Sequence, residues 1–158
     1  MKASNDIEEE ISKKTEMSKR EVLAVTVGCN VSFSSSYDRD HENYRLDNKN
    51  NGAHAWQAKN SALGDWIQVG CESPKYWTGA IIQGRGNLDQ WVKTVIFSTT
   101  IDGSLWENIE NGKVFGANQD CHTKVKIKFK EPIFGRTLRI YPQSWHHAMS
   151  LRFDATFL

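Results

Sequence analysis

Alternation of apolar and polar positions dominates the chain from Val22 onward. In residues 123–130, TKVKIKFK, Val125, Ile127 and Phe129 share one face, and Lys124, Lys126, Lys128 and Lys130 share the other. A period of two belongs to a half-buried strand, whose successive side chains point to opposite sides. The four lysines read as an outer wall that discourages edge pairing rather than as a phosphate patch. Met149, Leu151, Phe153, Ala155 and Phe157 alternate in the same way in the last strand. Residues 65–69, 77–83, 91–99 and 138–141 supply further strand signals. Asp102-Gly103 sits between 91–101 and 105–109, where Asp-Gly offers the positive φ of a tight hairpin. No ten-residue amphipathic helix intervenes and no internal repeat is visible. The pattern predicts an all-β fold of about eight strands, a sandwich or barrel.

Residues 1–21 break this pattern. Eleven of them are charged, and the first aromatic residue in the chain is Phe33. Ile7, Ile11 and Met17 are too sparse for a helical stripe, so a solvated, disordered leader is expected before a β-domain over 22–158. MKASNDIEEEISKK also lacks the apolar stretch of a secretory signal.

A formal net charge of +1 over 158 residues argues against binding nucleic acid through bulk charge. No apolar run approaches the ~20 residues a membrane-spanning helix needs. Six Trp, seven Phe and four Tyr suit either a β-core or a ligand surface built from rings. Cys29, Cys71 and Cys121 are odd in number and lack zinc-finger spacing, so free, reduced thiols are expected. A cytoplasmic location, or export without a signal peptide, follows as the expectation.

Catalytic signatures are missing: there is no GxSxG elbow, no phosphate-binding loop, no HExxH and no CxxC. Adjacent strand residues point to opposite faces, so His146 and His147 could share one metal only from a loop. The stretch 34–56 is long and polar between strand signals, as functional loops are. Its Tyr37, Arg39, His41, Tyr44 and Arg45 suit a polar ligand. Asp47 and Asn48 offer hard oxygens of the kind calcium takes, although turns rich in Asp and Asn look the same without metal. No cofactor is required by anything else in the sequence, which leaves calcium as a candidate structural ion.

The order of motifs carries a resemblance. Trp66-Ile67-Gln68-Val69, GAIIQGR over 79–85, Gln90-Trp91-Val92-Lys93 and STTIDGSLW over 98–106 follow one another. Residues 111–120 (NGKVFGANQD), 139–145 (RIYPQSW) and Ser150-Leu151-Arg152 complete the series. Together they resemble the discoidin domains, the coagulation factor V/VIII type C family, over about residues 30–157. Within it the chain looks most like the slime-mould discoidin lectins, through the shared stretch at 84–92. The resemblance implies an eight-stranded jelly-roll barrel that binds sugars, anionic phospholipids, collagen or other proteins through loops at one end. The matching loops are 37–54, 85–90, 118–122 and 144–148. Membrane-binding members carry bulky apolar spikes, whereas the loop 85–89 offers only Leu88, so insertion into a bilayer is not expected.

The leading expectation is a non-catalytic, lectin-like module for cell adhesion that binds carbohydrate at its loop rim. Arg85, His41, Tyr44, Asp89, Trp145 and His147 are its candidate contacts. Arg85 leads because a guanidinium can grip vicinal hydroxyls or a carboxylate. A salt bridge to Asp89 or Asp47 would be its structural role, and Trp145 could plug the barrel instead of stacking on a sugar. The alternative is an intracellular domain with a protein ligand.

Overall fold

The structure is a computed structural model that describes residues 6–10, 20–37, 43–49 and 54–158. Nine strands occur among them: β1 (Val22–Leu23), β2 (Asn30–Phe33), β3 (Trp56–Gln57), β4 (Ile67–Gln83), β5 (Trp91–Thr100), β6 (Trp106–Asn108), β7 (Phe115–Gly116), β8 (Val125–His146) and β9 (Ser150–Phe157). All named pairs are antiparallel. The count exceeds the expected eight because β1, β3 and β7 are two residues each, too short to show a period of two, and it does so although strands that the sequence separates are continuous. Residues 65–69 and 77–83 become parts of one 17-residue β4, and 123–130 and 138–141 fuse into the 22-residue β8.

These two strands stay continuous by bending. Their ladder slips between Gly70 and Lys75 and again between Trp77 and Gly79. Pro74 lies in the first slip, and Pro132 lies opposite the second. Pro142 sits at the Thr94/Val95 slip between β5 and β8. Proline lacks the donor a regular ladder needs, so bulges are where a sheet tolerates it. The bends divide the β-sandwich into two neighbourhoods. Gly79–Ile82 of β4 pairs with Val125–Lys128 of β8 and with β9, while Ile67–Gly70 pairs with Thr137–Ile140 and with β2.

The core lies between them. Val125 is partly buried, Ile127 and Phe129 are fully so, and the four alternating lysines are exposed, as the period-two pattern requires. Phe129 meets Phe97 edge-on at 5.0 Å, and Trp77 meets Phe157 likewise at 5.7 Å. The outer wall is not wholly open, because Lys126 pairs with Glu21 at 2.7 Å. Of the charged leader the structure describes residues 6–10, a short exposed helix, and residues 20–21; the rest of that expectation lies outside the described residues.

β9 is buried along all eight residues. Its apolar face enters the core as its alternation implies. Its polar face is roofed by loops, and its outer edge is covered in pieces by β3, a bridge from Arg45 to Phe153, and β1.

Cys29 and Cys71 form a disulfide, which corrects the expectation of three free thiols. Asn30 pairs with Gly70, so the register of β2 on β4 places the two cysteines side by side where their ladder ends. Among the described residues Cys121 alone remains free.

Candidate functional site at the loop rim

Arg152 forms the floor beneath the loops. It is 3% exposed, and its guanidinium donates to three carbonyls: Gly84 at 2.7 Å, Asn48 at 3.1 Å and Cys121 at 3.2 Å. One side chain thus ties together the β4–β5 loop, the segment around Asn48 and the loop before β8. Burial pushes its pKa below the ordinary arginine value, and the nearby Asp47 carboxylate opposes that shift. Gly84 is required by loop packing. A Cβ there would lie 2.6 Å from the Cys121 Cα, so the missing side chain admits the neighbouring loop rather than a ligand. Gly86 has φ +90° and lies against the Arg152 guanidinium, which leaves no ordinary place for a larger residue.

Arg85 stands above this floor. Its backbone N–H closes the β4–β5 loop on Gln90 O at 3.0 Å. Its Nη1 donates to Gln57 Oε1 at 2.6 Å and Gln90 Oε1 at 3.3 Å, and its Nε donates to Asn87 Oδ1 at 3.2 Å. Ser150 Oγ donates to the same Gln90 oxygen at 3.0 Å. The guanidinium is therefore held in one orientation by amide oxygens from β3 and its own loop. Tyr37, 69% exposed, lies beside β3 through its N–H bond to Gln57 O at 2.8 Å.

Asp89 and the two histidines complete the rim. Trp91 pairs with His146 across β5 and β8, and the two rings stack at 4.1 Å. His147 has a left-handed backbone, φ +65°, so it does not turn to the opposite face as a strand residue would. Its ring lies 3.9 Å from that of His146. Asp89 Oδ2 is 3.2 Å from His146 Nε2 and 3.9 Å from His147 Nδ1. The condition that both histidines could serve one ion only from a turn is met.

Other expected residues fall elsewhere. Tyr44 is 8% exposed, with its ring tilted against Phe153, so it belongs to the core and not the rim. Trp145 pairs with Val92 on the inward face and packs against the core, the plug role rather than the sugar-stacking one. Trp91, one residue outside that inward register, is the rim aromatic that sequence reasoning missed, although its Gln90-Trp91 motif was visible. Gln57 gave no signal at all. His41 lies outside the described residues. Asp47 bonds Lys124 and the Gln83 amide, and the ammonium holds its carboxyl below the usual range. Asn48 turns its amide to Asn43 and its carbonyl to Arg152. The oxygens foreseen for calcium thus face two cations of the chain itself.

A β-sandwich whose loops gather polar donors at one end has the plan of a binding module. The F5/8 type C domain family model matches residues 30–154. Discoidin-2 of Dictyostelium discoideum is 30% identical over 134 residues, covering 79% of this chain and 52% of the relative. Human coagulation factor VIII is 36% identical over 107 residues, covering 65% of this chain and 5% of that protein. Wild-type discoidin II from D. discoideum superposes with a TM-score of 0.82 at 29% identity, over 88% of this chain and 58% of that one. The family 32 carbohydrate-binding module of Clostridium perfringens NanJ, solved with galactose, shares the fold at a TM-score of 0.65 and 13% identity, over 86% of this chain and 98% of that one. The chain belongs to the F5/8 type C, or discoidin, domain family, whose members are binding modules. It spans about half the length of the discoidins it matches.

Proposed function

We propose that this domain binds carbohydrate, without catalysis, at the rim formed by Tyr37, Arg85, Asp89 and Trp91. The observation that carries the reading is the Arg85 guanidinium, held by Gln57, Gln90 and Asn87 on the loop that also bears the exposed Asp89 carboxylate, with the exposed Tyr37 bonded through its backbone to Gln57. Sugars present hydroxyls to forked donors and carboxylates, and apolar C–H faces to rings. Two solved domains of the same fold carry galactose and GalNAc-β-1,3-galactose, which supports galactose-type sugars as the first class to test. The Cys29–Cys71 disulfide favours work in an oxidising compartment. The cytoplasmic expectation rested on three free thiols and loses that support. Leu88, 46% exposed, is the apolar side chain of the loop tip, which favours a polar ligand over membrane insertion.

A glycan array probed with the whole chain tests the reading. Asp89→Ala and Tyr37→Ala should each weaken the best glycan about ten- to hundredfold, the effect of losing ~1.5–3 kcal/mol, with unchanged melting. Retention of no glycan by the native chain, or binding by both variants as tight as the native chain's, would remove carbohydrate recognition from this rim.

A further inference from the structure

We infer that Asp89, His146 and His147 form a binding site for a divalent transition-metal ion of the zinc class. Their ligand atoms, one carboxylate oxygen and two imidazole nitrogens, all lie within 4.8 Å of one another. Tetrahedral zinc with bonds of 2.0–2.1 Å separates its ligand atoms by roughly 3.3 Å. The 3.2 Å between Asp89 and His146 already matches, and the 3.9 Å to His147 closes by a small side-chain rotation. Such movement is free at Asp89 and His147, whose side chains are 70% and 62% exposed.

Three features separate this cluster from a chance meeting of surface groups. His147 keeps a left-handed backbone that is uncommon for a residue with a Cβ, and that conformation brings its ring back beside His146. His146 is held by stacking on Trp91, so one ligand is oriented before any ion arrives. Asp89 comes from a separate loop, which is closed by the Arg85–Gln90 backbone bond and roofs Arg152. Two imidazoles and one carboxylate select borderline cations over calcium or magnesium, which take oxygen shells. Three protein ligands leave a coordination position open to water or to an oxygen of a rim ligand. The inference stands whether or not that ligand is a sugar.

Calorimetric titration of zinc chloride into the full chain tests it. Cys121→Ser serves as the background, because the free thiol and His122 offer a second soft pair at 3.9 Å. Saturable binding of one equivalent is expected in this background, with calcium giving none. Loss of an outer-shell partner alone weakens metal sites about 10–100-fold, so Asp89→Asn and His147→Asn should each cost at least tenfold. Asparagine at 147 retains tolerance of the left-handed backbone, so the melting temperature should hold. Absence of saturable zinc binding, its disappearance with Cys121→Ser, or unchanged affinity in both rim variants would overturn the assignment.

Discussion

Two side chains of the rim show how much structure a single residue can carry. Arg152 alternates outward on β9, where sequence logic places solvent, yet it is enclosed and holds three carbonyls from three loops. Replacement by Met leaves those carbonyls without their donor. An unsatisfied buried group costs about 1–3 kcal/mol, so Arg152→Met should lose about 3 kcal/mol or more in a urea melt. Asp120 does comparable work in the loop before β8. It accepts the Thr123 N–H at 2.6 Å, the Thr123 hydroxyl at 2.7 Å and the His122 N–H at 3.0 Å. The Thr123 bonds, led by its backbone N–H, lower its pKa to about 2 from an ordinary 3.8. A carboxylate depressed in the folded state stabilises fully above its unfolded pKa and loses that effect as pH falls through the folded one. Between pH 4 and pH 2 the native chain should therefore weaken more steeply than Asp120→Ala. Parallel urea midpoints at pH 5, 3 and 2 would show the two slopes, and equal slopes would assign the acid sensitivity to other groups.

Elements place residues that spacing alone leaves apart. The disulfide joins cysteines 42 positions apart at the end of the β2–β4 ladder. Closing a loop of that length restricts the unfolded chain by up to roughly 4 kcal/mol in the chain-entropy account. The double variant Cys29→Ser/Cys71→Ser should lose about 2–4 kcal/mol of unfolding free energy, and Cys121→Ser should lose almost none. Equal losses would mean that the bond constrains nothing. Parity misled here, because an odd count describes a pair plus a single thiol as well as three thiols. The all-β class and the buried face of residues 125–129 were legible because a period of two is a local signal. The fusion of segments into β4 and β8 was not, since the intervening Pro74 and Pro132 read locally as interruptions and become bulges only when a partner strand bridges them. Trp66 and Trp106 show the same limit. They clamp Arg139 at 4.0 and 3.8 Å on the outer face of the sheet, so matched motif positions can serve the wall and not the rim.

At the scale of the molecule the rim was half legible. Arg85 and Asp89 share the loop 85–90 that the matched motifs marked in advance, and His147 was recognisable as part of a pair. Tyr44 and Trp145 were drawn to the core because burial of a ring outweighs its polar edge once a neighbouring apolar face is available. The same closure decides where the fold begins. Ala24 and Val25 are buried, and Val22 and Leu23 extend β9's outer edge. The Asp154 carboxylate, itself 2% exposed, accepts the Val25 N–H at 2.7 Å, the Thr26 N–H at 3.1 Å and the Thr26 hydroxyl at 2.7 Å. A chain starting at Arg20 keeps all of these and the Glu21–Lys126 pair, so it should melt as the full chain does. A chain starting at Cys29 strips the edge of β9, removes the buried Ala24 and Val25 from the core and takes three hydrogen bonds from Asp154. A hydrogen bond to a charged group contributes ~1.5–3 kcal/mol, and the buried Val25 adds to that, together a large part of what a domain of this size possesses. Urea unfolding of the two truncations should therefore separate them by at least that amount. If both unfold together with the full chain, residues 22–28 lie on the sandwich without supporting it, and the β-domain begins at the disulfide.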